Sequence, residues 1–278
     1  YPAVMCGWLR LPGWRNHPHI TAGYAPAGWT ALVDHLRRRG VTNDELLETG
    51  LATRARTGNL IDRFRDRAVF PITHQDQILG FVGRRHPDLT DDDHTGPKYL
   101  NTADTVLFHK GAQLYGANPA LLEAGAVPVL VEGPIDALAV TLVGHGRYVG
   151  VGPLGTALTD DQARQLATLS THPIVATDAD LPGRVAAERA YWLLAQHGAD
   201  PLTLDLPDGA DPASLLQVTG PAEMRHALEN ALRLAQVLID ERLTSLPRND
   251  AIEAATRVAA ARPPSTWVSH TAAIAELL

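Results

Sequence analysis

The strongest apolar signal in the chain lies in two short runs, Val129-Leu130-Val131 and Ile174-Val175-Ala176, each ending abruptly in acids. Glu132 follows the first; Asp178 and Asp180 follow the second. An unbroken, mostly β-branched run of this kind is what a strand buried on both faces requires. Around these runs, strand-like and helix-like segments alternate. A short helix opens at Pro119 and closes at Gly125, and the strand to Glu132 is followed by a helix over 134–143. A strand over 148–151 leads into the Gly-Pro-Leu-Gly loop at 152–155. Thr159 with Gln162 forms a capping box for a helix to 169. A strand over 173–177 precedes a helix over 184–196, stopped by Gly198, and a last strand covers 202–206. Alternation of this length predicts a mostly parallel sheet with helices on both faces.

The flanks read differently. Residues 1–25 hold Trp8, Trp14, Pro12, Pro18 and Tyr24 without a clear period and are expected to form an irregular lead-in. A helix is expected over 30–39, and Thr42-Asn43-Asp44-Glu45 is a capping box for a second one that stops at Gly50. Residues 58–84 look like strands, with 69–72 and 78–83 as a pair. Within Asp62-Arg63-Phe64-Arg65-Asp66-Arg67 the alternation puts three arginines on one side of an extended segment. Segments 97–101 and 108–111 read as loops, and Asp91-Asp92-Asp93-His94 as a solvated one. Beyond Gly220-Pro221 the pattern is helical. Met224, Leu228, Leu232, Ala235 and Ile239 form one apolar stripe, and further helices are expected over 250–261 and from Trp267 to the end.

Composition changes this picture only in part. The 278 residues are 45% hydrophobic and 20% charged, as expected for a globular chain of two or three subdomains. A single cysteine, Cys6, excludes a disulfide framework and a multi-cysteine zinc site in this chain. No apolar run approaches a membrane span and no leader pattern is visible, so a cytoplasmic protein is expected. The chain opens at Tyr1 rather than Met, which reads as a piece of something longer. The net charge of −7 is unevenly divided: residues 1–116 carry 14 basic against 12 acidic side chains, and residues 117–278 carry 10 against 19. That asymmetry suggests polyanion binding in the first part and metal binding in the second. Lys98 and Lys110 are the only lysines in an arginine-biased chain, and a compact point charge suits a phosphate.

The acids supply the candidate chemistry. Ligands of open α/β sheets sit beyond the carboxyl ends of the strands. Asp178 and Asp180, two residues apart on extended chain, are expected to share a face and to meet Glu132 there. Single acids at such positions are often solvated or cap helices, but several at two junctions of one sheet favour a shared cation. Mg²⁺ suits such a site because it prefers hard oxygen ligands and keeps waters or phosphate oxygens in its other positions.

Residues 129–217 resemble the Toprim domain of primases, topoisomerases and some nucleases, with Glu132 and the Asp178-Ala179-Asp180 pair as the matching motif. The remaining segments resemble the catalytic core of DnaG-type bacterial primases, in the same order. They are Gly23-Tyr24-Ala25-Pro26 with Trp29, Asp62–Arg67, Phe70-Pro71-Ile72, Gly80-Phe81, Pro97–Asn101, Phe108–Gly111 with Tyr115-Gly116, and Leu154–Thr159. The resemblance spans roughly 23–278. It implies an α/β fold (α+β overall) in three parts: a basic α+β subdomain (1–116), a Toprim domain (117–217) and a helical subdomain (218–278). It further implies metal-dependent nucleotidyl transfer with Mg²⁺ or Mn²⁺. Glu132, Asp136, Asp178, Asp180 and Asp211 would form the acidic site, with Glu132, Asp178 and Asp180 catalytic. Arg63, Arg65, Arg67, Arg84, Lys98, Tyr99, Asn101 and Lys110 would meet nucleotide or DNA. Asp136 would bind metal, hold a metal-bound water or complement a helix dipole, and Asp211 is equally placed to cap a helix before Pro212.

The chain departs from the family in three ways. Asp211-Pro212-Ala213 stands where the family usually has Asp-Pro-Asp, Pro134 replaces a commonly aromatic residue, and neither a zinc ribbon nor a helicase-binding domain is present in this sequence. Initiation-site recognition is therefore expected elsewhere in a longer protein, or lost. The leading expectation is a primase core making short RNA primers on single-stranded DNA from nucleoside triphosphates. A replicative helicase or a fused upstream domain would be its further partner, and no membrane is expected. Tyr24, Trp29 and Tyr99 would stack on bases, Trp29 being equally suited to a core. The alternative is a catalytically degenerate Toprim module that binds single-stranded DNA within a plasmid, phage or conjugation protein. A Toprim nuclease leaves the arginine-rich part unexplained, and a topoisomerase lacks its tyrosine domain.

Overall fold

The structure is a computed structural model that describes residues 9–74, 77–89, 96–155, 157–264, 267 and 275. The acidic run at 91–94 and most of the helix expected from Trp267 lie outside those residues.

The first part is built on an antiparallel sheet. β1 (Gly23–Ala25), β4 (Arg67–His74), β5 (Gln77–Arg84) and β6 (Tyr99–Asn101) pair in the order β1-β4-β5-β6. Helices α1 (Ala31–Arg37) and α2 (Asn43–Glu48) and the hairpin of β2 (Ala52–Arg54) with β3 (Leu60–Asp62) stand beside it. The Thr42–Glu45 capping box forms as expected, and such a cap is worth about 1 kcal/mol. Helix α1 is capped from a distance instead: buried Asp62 accepts the N–H groups of Leu32 at 2.8 Å and Val33 at 2.9 Å.

The second part carries the parallel sheet. It contains β7 (Leu114–Tyr115), α3 (Pro119–Glu123), β8 (Val127–Val131), α4 (Pro134–Gly144), β9 (Tyr148–Pro153), α5 (Asp160–Leu169), β10 (Ile174–Ala176), α6 (Leu181–Gln196) and β11 (Leu202–Thr203). They are followed by α7 (Pro212–Thr219), α8 (Pro221–Glu229), β12 (Leu232–Arg233), α9 (Leu234–Ser245) and α10 (Arg248–Ala260). The strand order is β12-β11-β10-β8-β9-β7, with β11, β10, β8 and β9 parallel and the two edge strands antiparallel.

Strand alternation explains why β8 and β10 read as unbroken apolar runs. Val129 and Val131 face one core, together with Ile135 and Leu138 of α4 and with Phe70, Ile72 and Val82 of the antiparallel sheet. Leu130, Val151 and Val175 face the other, against α5, α6, α9 and α10. The first core also takes in Leu9, Leu11, Trp14, Ile20 and Phe108, so the lead-in packs into the body of the protein. Among the described residues no helix is long and apolar enough to cross a membrane.

Three expectations fail here, each for a local reason. The arginine segment is not one extended strand: β3 ends at Asp62, β4 begins at Arg67, and Asp66 turns the chain with a φ of 49°. Residues 99–101 are not a loop but the edge strand paired with β5. The apolar stripe after Gly220 is not one helix. Met224 and Leu228 lie in the first core, Ala235 and Ile239 in the second, and Leu232 between them is 48% exposed on β12.

Candidate active site

The carboxyl ends of β8 and β10 open onto a cleft of about 660 Å³. Glu132, Asp136, Asp178 and Asp211 line one side, and Lys98, Tyr99, Asn101 and Lys110 also line it. Each acid arrives by a different local device. Glu132 is the exposed residue that ends β8, and its Oε1 accepts the N–H of Asp178 at 3.2 Å. That bond ties the two junctions together. Asp136 sits in the first turn of α4, only 8% exposed, and its Oδ1 accepts the N–H of Ala213 at 3.2 Å. Asp211 is the N-cap of α7 and accepts the N–H of Ser214 at 2.6 Å. Asp178 follows β10, and its carbonyl packs so tightly under α6 that a Cβ on Gly183 would lie 1.9 Å from it. Only glycine permits that approach.

The electrostatics reflect this crowding. Burial pushes Asp136 up to about 7, with the Asp211 charge adding to it; the Ala213 N–H, and more weakly Lys98, work the other way. Asp178 is pushed up to about 6 by burial and then by Glu132, Asp211 and Asp180, with Lys98 opposing. Carboxylates that raise one another's affinity for protons are poised for a cation. Among the described residues, however, no three such side chains close tightly enough to hold an ion by themselves. Of the five expected acids, Glu132, Asp136, Asp178 and Asp211 line the cleft together.

Asp180 is the clearest departure. The chain leaves β10 at Ala176, so Asp178 and Asp180 do not share a strand face. Asp180 is exposed and caps α6, accepting the N–H of Gly183 at 2.7 Å, and it does not line the cleft. Helix α6 therefore begins three residues before the expected 184. The nearby pair still acts at long range, through the upward push on Asp178.

The arginines are occupied by backbone. Arg63 donates to the Asn101 carbonyl, Arg65 to that of Asp62, and buried Arg67 to that of Gly83 at 3.2 Å. The positive φ at Asp66 breaks the alternation that would have aimed all three at one ligand. Arg84 lies beside Tyr99, whose hydroxyl is pushed up by burial and receives the N–H of Ile135 at the start of α4. Tyr99 thus joins the antiparallel sheet to the acidic helix and is not a free stacking ring. Lys98 and Lys110 are exposed at the cleft, with Lys98 Nζ 5.7 Å from the Tyr99 ring centroid. Trp29 is 63% exposed rather than core, with the Arg65 guanidinium 4.4 Å from its ring centroid.

The end of β9 and the loop after it form a further wall: Pro153, Leu154, Gly155, Ala157 and Leu158 line the cleft. Asn101 Nδ2 donates to the Leu154 carbonyl and fastens that wall to β6. Two signals pointed to it: the resemblance of Leu154–Thr159 to the family and its place at the carboxyl end of a parallel strand.

Comparison with known proteins matches two stretches of the chain. Residues 16–121 match the family described as the DNA primase catalytic core, N-terminal domain, and residues 129–216 match the Toprim-like family. A DNA primase of Clostridium acetobutylicum is 33% identical over 230 residues, covering 82% of this chain and 37% of that protein. The chain thus spans little more than a third of that relative's length. Among solved structures, the E. coli primase catalytic core is 30% identical with a TM-score of 0.75, covering 94% of this chain and 85% of that one. A DnaG primase catalytic domain bound to single-stranded DNA is 28% identical with a TM-score of 0.77, covering 94% and 83%. With both parts matched in order and the fold shared almost end to end, this chain belongs to the family of DnaG-type primase catalytic cores.

Proposed function

We propose that this chain is the polymerising core of a primase, joining ribonucleotides into short primers on single-stranded DNA. The observation that carries the reading is the cleft itself: four carboxylates at the ends of parallel strands and helices share it with the only two lysines of the chain. Glu132, Asp178 and Asp211, with Asp136 behind them, are the groups that would hold a divalent cation, Mg²⁺ or Mn²⁺. Their chemistry fits: hard oxygen donors that push each other's pKa upward are relieved by such an ion. An ion there would take few of them directly and complete its shell with water or phosphate oxygens. Bound, it would neutralise triphosphate charge and lower the pKa of the attacking 3′-hydroxyl.

The protein's own groups account for the rest. Lys98 and Lys110 would receive phosphate oxygens in the same cleft as the acids. The Asp178 N–H bond to Glu132 holds the two residues in register and would help to position the reacting phosphate. Exposed Trp29, backed by Arg65, offers a sequence-tolerant platform for template bases. Template DNA and nucleoside triphosphates are the proposed ligands, a replicative helicase or a fused upstream domain the proposed partner, and the cytoplasm the proposed compartment. The solved relative with bound single-stranded DNA supports the template reading.

Primer synthesis on a single-stranded template, compared between the wild-type chain and Asp178→Asn, tests the proposal. Wild type should extend and the variant should not, while both bind DNA. Equal product from the variant would refute the site. Shortening of the template would favour a nuclease, and binding without synthesis a degenerate module.

A further inference from the structure

Val106 and Leu107 are 87% and 65% exposed, the only consecutive pair among the open large apolar side chains of the described residues. They do not sit on a loose loop. Thr105 and Phe108 bracket them: the Thr105 N–H donates to the Phe108 carbonyl at 2.9 Å, and the Phe108 N–H donates back at 3.4 Å. Thr105 Oγ1 accepts the N–H groups of Leu107 at 3.2 Å and Phe108 at 3.0 Å. Phe108 is fully buried in the first core, and the Lys110 N–H donates to Asp104 Oδ1 at 3.3 Å. The turn is therefore fixed on both sides while its two apolar side chains remain in water. Among the described residues, nothing covers them.

What they stand beside is informative. Lys110, three residues on, lines the catalytic cleft. Three residues of chain reach at most about 10 Å, so the tip lies within that distance of the Lys110 backbone. A strand whose phosphate meets Lys110 carries its neighbouring bases within the same reach. Apolar side chains commonly press against or between bases at nucleic-acid interfaces.

We propose that the Val106–Leu107 tip is an apolar contact for the bases of the single strand at the mouth of the cleft. This rests on the reading of the cleft as a nucleotide-polymerising site. The contact would carry no charge, so its contribution would not depend on salt, whereas that of Lys110 would fall as salt rises.

The test uses the full chain and a fluorescent oligothymidylate titrated at several salt concentrations. The double variant Val106→Ser/Leu107→Ser should weaken binding about five- to tenfold at every salt concentration, leaving the log–log slope unchanged. Lys110→Ala should flatten that slope. In the wild-type protein, an oligonucleotide carrying a diazirine-bearing base should crosslink at Val106 or Leu107, which decides the matter even if the double variant folds poorly. Unchanged affinity together with crosslinks confined elsewhere would overturn the proposal, whatever protein surface the tip then serves. If wild type still makes primers in that case, the polymerase reading survives alone. If wild type binds no oligonucleotide at all, both fall.

Discussion

Asp136 of α4 rests its Oδ1 on the backbone N–H of Ala213, 3.2 Å away in the first turn of α7. The alanine side chain is itself only 5% exposed and stands where the family usually places a second acid. A helix N-terminus therefore faces the most buried acid of the cleft and partly offsets the push of the Asp211 charge. Ala213→Asp should lower metal-free stability by about 2 kcal/mol or more, because it adds a charge to a site already crowded with them. The loss should be larger at pH 8 than at pH 5, and Mn²⁺ affinity, read by electron paramagnetic resonance, should rise several-fold. A variant as stable as wild type at pH 8 with unchanged Mn²⁺ affinity would show that position 213 does not face the acids.

The raised acids give the protein a definite pH response. Asp136 near 7 and Asp178 near 6 both bind protons more tightly folded than unfolded, so the folded state holds extra protons between roughly pH 4 and pH 7. Their contribution to stability is complete on the acid side and declines as pH rises through that window. A divalent cation competes with those protons, so the gain in Tm on adding Mg²⁺ or Mn²⁺ should be greater at pH 8 than at pH 5. Calorimetry at both pH values checks this. Equal gains would mean the ion binds away from Asp136 and Asp178.

The sheet and its helices were legible because their causes are local. Runs such as Val129–Val131, capping boxes at Thr42 and Thr159, and stops at Gly50 and Gly125 each act over a few residues. The placement of Glu132, Asp136 and Asp178 was legible for the same reason, each lying just past a strand end or in the first turn of the helix that follows. Asp180 was misread because its capping role depends on where α6 begins, and Pro182 and Gly183 let that helix start earlier than the apolar pattern suggested. The backbone partners of Arg63 and Arg67 were not legible because those carbonyls lie on other strands, as when Asn101 meets Arg63. Alternation along a segment cannot reveal a turn at Asp66 or an acceptor 38 residues away.

That distinction between cleft lysines and structural arginines can be measured. Arg67 is 3% exposed and donates to the Gly83 carbonyl across β4 and β5, so Arg67→Ala should destabilise the antiparallel sheet by about 1–3 kcal/mol. Its effect on the salt dependence of oligonucleotide binding should be negligible. Lys98→Ala should do the reverse, leaving Tm nearly unchanged and reducing the salt slope by about one. A flattened slope in the Arg67 variant would return that residue to the DNA contacts.

The sheet edge that β12 closes depends on a single buried acid. Asp200 is 1% exposed and receives Nε and a terminal nitrogen of Arg262 at 2.9 and 2.6 Å, while Arg233 of β12 reaches the same carboxylate at 2.6 Å. Arg262, 3% exposed, follows α10, so this carboxylate fastens the last described helix to the strand beside β11. Removing the acid leaves the Arg262 charge buried without its counterion, which costs far more than loss of an exposed pair. Asp200→Ala should therefore destabilise the protein by about 3–5 kcal/mol. Arg233→Ala, which removes a side chain that is itself half in solvent, should cost about 1 kcal/mol or less. Hydrogen exchange gives the sharper readout: with Asp200 gone, amides of α10 and β12 should lose protection before those of β8 and β10. Uniform loss across the sheet would mean that the helical end and the acid-bearing strands unfold as one unit.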